Sequence, residues 1–293
     1  MSILLSGLNR KAILLISAPI LISAFYLFEL INNPYSPFSL LGVLGAIFAN
    51  ATGAGGGVVF IPAFQQLGIS ESQTIATSFA IQCFGMTTGA IMWSKYAKRQ
   101  RLQEVDWKLL YPLILIAAIP SVLGLWMVYG LGLGSPASLS LLFAVFSILL
   151  GASLLIMARQ RKQPSELVML VQAVPKKDVI WLSVIGILGG VVTAWLSVGV
   201  GEFIAFYLIF RGYRVRLAIA VAVVISAITV WSGIGYHLAA DTINWQILLF
   251  AGPGAVIGAV AARYLAAWLP AMKLKLFFAI WILLAGAIEL IAV

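Results

Sequence analysis

GAGGGVVFIP, residues Gly53–Pro62, and SVGVGEFIAF, residues Ser197–Phe206, are the two stretches on which the fold of this chain turns. Each interrupts an apolar segment, Phe38 to Leu67 in the first case and Val179 to Phe210 in the second. Glycines stop a helix there and leave the N–H groups at the start of the next half without intrahelical partners. In hydrocarbon such groups are tolerated only when buried in protein or facing a wet cavity. Composition makes hydrocarbon the relevant solvent: of 293 residues, 62% are hydrophobic and 9% charged, against about 25% charged in soluble domains. An ordinary soluble protein, a disordered chain and a collagen-like one are all excluded. The 27 glycines and 9 tryptophans suit close helix packing and anchoring at the water–lipid boundary.

Seven further apolar runs are each near the length of a tilted spanning helix: Ala12–Ile31, Ser72–Trp93, Leu109–Tyr129, Leu139–Ala158, Val215–Tyr236, Trp245–Trp268 and Leu276–Val293. The first follows Arg10 and Lys11 and has no small-residue cleavage site after it, so it reads as a retained span. Charge then decides how the two broken segments run. If each crosses once, eight Lys and Arg fall on the side of the N-terminus and ten on the other. If each instead enters to mid-depth and returns, all 18 fall on one side, the cytoplasmic one by the positive-inside rule. The reading adopted is seven full spans plus two re-entrant hairpins, with the N-terminus cytoplasmic, although Val179 to Leu196 is 18 residues and nearly long enough to cross alone.

The halves resemble each other. Gly53-x-Gly55 pairs with Gly199-x-Gly201, Ala76 with Ala222 and Gly89 with Gly235, all at a spacing of 146. Asp106-Trp107 pairs with Asn244-Trp245, and Leu142–Ala152 with Phe277–Ala287, at shorter spacings. A hairpin plus three spans is an odd number of crossings, so the second copy is inverted, an arrangement common among secondary transporters. The expected fold is an all-α integral membrane protein with one extra N-terminal helix and two inverted-topology repeats, each a glycine-broken re-entrant hairpin and three spanning helices. The expected divisions are 1–37 for the N-terminal helix, 38–158 for the first repeat, 159–178 for a cytoplasmic linker and 179–293 for the second repeat.

Bare N–H groups and the positive end of a half-helix form a place for an anion. The candidate substrate-binding residues are Gly53, Gly55, Gly56, Gly57, Gly199 and Gly201 at the breaks, and the polar groups Asn50, Thr52, Thr77, Ser78, Gln82, Ser197 and Ser226 beside them. The polar groups have a competing role as caps and interhelical glue. Glu202 stands where the first copy has Gly56; an acid at this depth reads as a proton-coupling carboxylate, with a cap or an ion pair to Arg211, Arg214 or Arg216 as its structural alternative.

GAGGGVVFIP followed by Ala76-Thr77-Ser78, repeated in degenerate form, resembles the TauE/SafE family of sulfite and organosulfonate exporters, from Leu40 to Val293. The resemblance implies a secondary transporter, usually an exporter, of a small sulfur-containing anion. It implies a multi-pass protein of a bacterial or archaeal inner (cell) membrane. The second copy departs from the pattern at Glu202 and lacks a match to Pro62.

An anion channel, a transporter of another small anion such as a carboxylate, and a non-transporting membrane protein are the alternatives. No ATP-binding loop occurs, and nine scattered acids with one histidine and one cysteine argue against an enzyme, a metal site or a cofactor. The expected partners are the small anionic substrate and membrane lipid, with a homo-oligomer as an option and no nucleic acid. His237, Glu29 and Glu289 fall near the non-basic ends of spans, where water is expected to reach them, and Trp93, Trp107, Trp126, Trp181, Trp245 and Trp268 read as boundary anchors.

Overall fold

The computed structural model describes residues 32–100, 105–159, 173–268 and 271–292. The expected first span lies outside the described residues, as does Glu29. Every regular element among the described residues is helical: α1 (Pro37–Thr52), α2 (Gly57–Gln66), α3 (Glu71–Gln100), a 3-10 turn (Val105–Leu109), α4 (Leu110–Leu131), α5 (Leu139–Arg159), α6 (Lys176–Leu196), α7 (Val200–Phe210), α8 (Val215–Ala239), α9 (Trp245–Trp268) and α10 (Ala271–Ala292).

Both broken segments double back. Helix α1 stops at Gly53 in the left-handed conformation (φ 86°), and α6 stops the same way at Ser197 (φ 56°), a cap geometry that glycine adopts freely and serine does not. Beyond the first turn, the Phe60 ring packs on Gly45, and Phe64 lies 5.9 Å from Phe38, so α2 ends beside the start of α1. Beyond the second, Val200 packs on Gly189, and Arg211 Nε sits 2.7 Å from Asp178 Oδ1, joining the end of α7 to the start of α6. Helix α6 begins at Lys176, ahead of the apolar run at Val179, because the charged first turn after Pro175 is tied down by this bridge.

The remaining helices pack in a matched pattern: α1 on α9 as α6 on α4, α9 on α3 as α4 on α8, and α5 on α10. The close approaches repeat at fixed spacings. Gly57 faces the Ser197 carbonyl and Gly201, 144 residues on, faces that of Gly53. Gly89 meets Val223 while Gly233 meets Phe79, again 144 apart, and these contacts make α3 and α8 antiparallel. Gly124 lies on the Ile187 carbonyl and Gly258 on that of Val43. Glycine at these points lets backbones touch, the contact that substitutes for a hydrophobic driving force inside lipid.

Five helices are long and apolar enough to cross a membrane: Glu71–Gln100, Trp107–Leu131, Lys176–Leu196, Val215–Ala239 and Trp245–Ala266. The chain is an integral membrane protein. Its aromatic residues divide. Trp126, Trp181, Trp245 and Trp268 are exposed as boundary residues should be, but Trp93 and Trp107 are buried. Trp93 donates its indole N–H to the Asn50 carbonyl and packs edge-on against Tyr96, which lies under the Arg263 guanidinium at 4.0 Å. Trp93 and Trp107 therefore belong to the interhelical packing rather than to the boundary belt.

The α4–α6 contact gives a direct test. A methyl group added at Gly190 meets the Ser121 carbonyl, and one at Gly124 the Ile187 carbonyl, whereas Gly130 has open space around it. Gly190→Ala and Gly124→Ala are each expected to destabilise the detergent-solubilised protein by about 1–3 kcal/mol. Gly130→Ala, within α4, is expected to be neutral or slightly stabilising. Thermal unfolding of the three variants checks this.

Candidate functional site

The two helix breaks meet, and a carboxylate joins them. Gly55 N–H, from the first break, donates to Glu202 Oε1 at 2.7 Å, and Gly199 N–H, from the second, donates to Glu202 Oε2 at 2.8 Å. Glu202 is buried in the first turn of α7, where the half-helix dipole favours negative charge. Of the two structural alternatives for Glu202, the cap describes its bonds; Arg211 is engaged by Asp178 instead.

Gln82, projecting from α3, is the second junction. Its Oε1 accepts Gly56 N–H at 2.9 Å. Its Nε2 lies within reach of the Ser78 hydroxyl (3.1 Å), the Ser197 carbonyl (3.0 Å) and the Ser197 hydroxyl (2.8 Å), and Ser197 Oγ–H donates to Ser78 Oγ at 2.9 Å. These bonds hold Ser197 in its left-handed conformation, whose intrinsic cost of about 1–2 kcal/mol needs such compensation. Val200 N–H, at the start of α7, donates to Thr193 Oγ1 at 3.0 Å. The amides expected to stand bare are thus occupied by internal acceptors: Gly55 and Gly199 by Glu202, Gly56 by Gln82, and Val200 by Thr193.

The other expected site residues separate into two groups. Gly53, Gly57, Gly201 and Ser226 lie at the junction. Gly201 faces the Gly53 carbonyl and the Ser226 hydroxyl, and that hydroxyl is buried without a hydrogen-bond partner. Asn50, Thr52 and Thr77 are used elsewhere. Asn50 Nδ2 donates to the Ala46 and Gly85 carbonyls, binding α1 to α3. Thr52 Oγ1 donates to Phe48 O and accepts Ala54 N–H, capping α1. Thr77 Oγ1 accepts Asn244 N–H, tying α3 to the start of α9.

Three polar sites depart from the sequence reading. His237 is buried, with its ring 4.7 Å from Phe79 and Nε2 2.9 Å from Tyr129 Oη, so it is an internal residue rather than a water-facing anchor. Glu289 is likewise buried, with Oε1 unpartnered. Asp178, unremarked in the sequence, accepts hydrogen bonds from Tyr207 (2.7 Å), Arg211 (2.7 Å) and Tyr213 (2.8 Å) and closes the second hairpin. Its signal was faint: one acid among basic residues at the edge of an apolar run. A recess of about 300 Å³ lined by Tyr129, Trp195 and His237 reaches Ile75 and Ala194, each three residues from the Ser78–Ser197 pair.

Five helices able to cross a membrane, packed around two helix breaks that meet at buried polar groups, make this a polytopic helical membrane protein. The model of the sulfite exporter TauE/SafE family matches residues 38–288, and the chain belongs to that family. No curated protein and no solved structure matches it.

Gln82→Leu would leave Gly56 N–H, the Ser197 carbonyl and two hydroxyls without their shared partner. A loss of about 1–3 kcal/mol per buried group left unsatisfied is expected, appearing as a large fall in thermal stability in detergent. Gln82→Glu keeps the acceptor for Gly56 but loses the donor to the Ser197 carbonyl and buries a second carboxyl beside Glu202, so it is expected to be no milder.

Proposed function

We propose that this chain is a secondary transporter of a small sulfur-containing anion, sulfite or an organosulfonate. It works by alternating access around the junction of the two helix breaks, with Glu202 as the proton-coupling group. The observation that carries the reading is the bridging carboxyl group: one amide from each break already holds an oxygen of Glu202, at 2.7 and 2.8 Å.

Family membership supports the substrate class. Architecture supports the mechanism. Helices α3 and α8 run antiparallel, so the hairpins that precede them open to opposite ends, as two inverted repeats would. The contacts that recur at a spacing of 144 fit the same reading, on which Gly55 would correspond to Gly199, Gly57 to Gly201 and Gln82 to Ser226. This spacing is two residues shorter than the 146 taken from the glycine pattern. With the basic loops at the cytoplasmic face, the recess at Tyr129, Trp195 and His237 opens to the outside.

In this reading the ionised Glu202 occupies the anion site when no substrate is present. A proton on Glu202 removes its negative charge and weakens its hold on the two amides, and an oxyanion takes them, with the hydroxyls of Ser78, Ser197 and Ser226 and Gln82 Nε2 as further donors. Anion and proton therefore bind in the same state. Moving one hairpin away from the other breaks the Gly55–Glu202 contact and opens the site to one side at a time. Complete burial of Ser78, Gln82 and Glu202 supports a carrier over an open channel. A small carboxylate is the second reading, favoured by the fact that the site accepts one in Glu202 itself.

Two measurements in proteoliposomes test this. Saturable flux of sulfite or sulfoacetate exceeding that of acetate and chloride is expected, and preference for acetate would select the second reading. Flux by the wild type is expected to rise as pH falls, because protonation of Glu202 releases the amides. Glu202→Gln is expected to flatten that dependence; if the variant keeps the wild-type pH profile, the coupling role is lost.

A further inference from the structure

The second hairpin carries a groove on its other face. Helices α6 and α7 enclose a trough of about 540 Å³, walled by Trp181 and Leu188 on one side and by Phe203 and Phe210 on the other, with Lys177 and Arg211 at its mouth. Three of the wall residues face outward, Trp181 at 47% exposed, Leu188 at 56% and Phe210 at 61%, while Phe203 closes the deep end by packing edge-on against Phe146 of α5 at 5.4 Å. Of the five helices able to cross a membrane, α6 is the least covered by protein, with 39% of its most apolar window buried.

We propose that this groove is a binding site for one anionic phospholipid, its acyl chain in the trough and its phosphate between Lys177 and Arg211. Charge selects this occupant. Two cations stand at the mouth beside one carboxylate, Asp178, which is buried and turned inward to Tyr207 and Tyr213. Lys177 has no carboxylate partner among the described residues, and Arg211 keeps a third of its side chain exposed while its Nε is fixed by Asp178. The placement follows membrane geometry: the cations sit at the start of α6 and the end of α7, where lipid phosphates lie, and the apolar walls run from there toward the bilayer middle. Trp181, one turn in from Lys177, has the amphipathic ring that favours this depth.

The site differs from general lipid contact in where it ends. Phe203, at the deep end of the trough, directly follows Glu202, so a lipid seated there braces the hairpin whose turn holds the bridging carboxylate. The inference depends neither on the substrate nor on the transport cycle.

The test is thermal unfolding of the full chain in detergent, stripped of lipid and titrated with phosphatidylglycerol or phosphatidylcholine. Phosphatidylglycerol is expected to raise the melting temperature saturably, as a ligand of the folded state does, and phosphatidylcholine to do so far less. Lys177→Glu is expected to raise the half-saturating phosphatidylglycerol by about tenfold or more, with its melting temperature in phosphatidylcholine unchanged. Leu188→Asn, in the trough wall, is expected to weaken the effect without touching the charges. Equal effects of the two lipids would mean annular lipid alone. Full stabilisation by glycerol 3-phosphate would mean a free-phosphate site, and stabilisation that tracks protein concentration would mean a second copy. Each of these, or a wild-type response in both variants, overturns the proposal.

Discussion

A helix that stops deep among buried residues leaves amides that water cannot reach and that the protein itself must satisfy, and this requirement organises the rest of the molecule. Two helices stop here, and their turns pack on each other. The second break gives the first its carboxylate, through Glu202 to Gly55. It also gives the Ser197 carbonyl, on which Gly57 packs. The first break returns the Gly53 carbonyl, on which Gly201 packs. Of the four junction amides, Gly55 takes its acceptor from the other break, Gly199 and Val200 are satisfied within the second hairpin, and Gly56 is satisfied by Gln82 of α3. It is therefore the first hairpin that depends on contact with the second.

That contact places demands on the surrounding helices. For the turns to touch, α1 and α6 must be held at fixed depth, and both are gripped by backbone contacts at glycine. Gly254 and Gly258 on α9 lie against carbonyls of α1, and Gly186 and Gly190 on α6 lie against carbonyls of α4. Helix α3 then crosses behind the junction and delivers Gln82 into it, while α8 delivers Ser226 from the opposite side. The two flanks differ in chemistry. Gln82 is saturated by its neighbours and Ser226 is not, so the junction is rigid on one flank and has a free hydroxyl on the other.

Much of this was legible in the chain, and what escaped has physical reasons. The helix breaks were readable because glycine clusters inside apolar runs have few other uses. The left-handed caps were half legible: the first falls on a glycine, Gly53, but the second falls on Ser197. A serine held left-handed by Gln82 leaves no mark in a glycine pattern. The polar residues were chosen by proximity to the breaks, which found Ser78, Gln82, Ser197 and Ser226 but also Asn50 and Thr77. Helical phase turns those two toward Gly85 and Asn244. His237 and Glu289 were misread for a different reason: closeness to a helix end does not reveal whether a neighbouring helix covers it.

The α6–α7 hairpin holds two buried carboxylates, and the contrast between them argues for which one is mobile. Asp178 receives two tyrosine hydroxyls and a guanidinium, a set that neutralises its charge and fixes it to both ends of the hairpin. Charge-assisted bonds of this kind contribute about 1.5–3 kcal/mol each, and a buried carboxylate stripped of its cation is left at a heavy cost. Glu202 receives two neutral amides, one of them from the opposite break. In the proposed cycle either of two events relieves it: a proton, which cancels the charge, or a separation of the turns, which takes Gly55 away and lets water in. Neither event is open to Asp178 without breaking the hairpin itself. On that proposal Asp178 is the structural carboxylate, and Glu202 is the one whose environment can change while the fold remains intact.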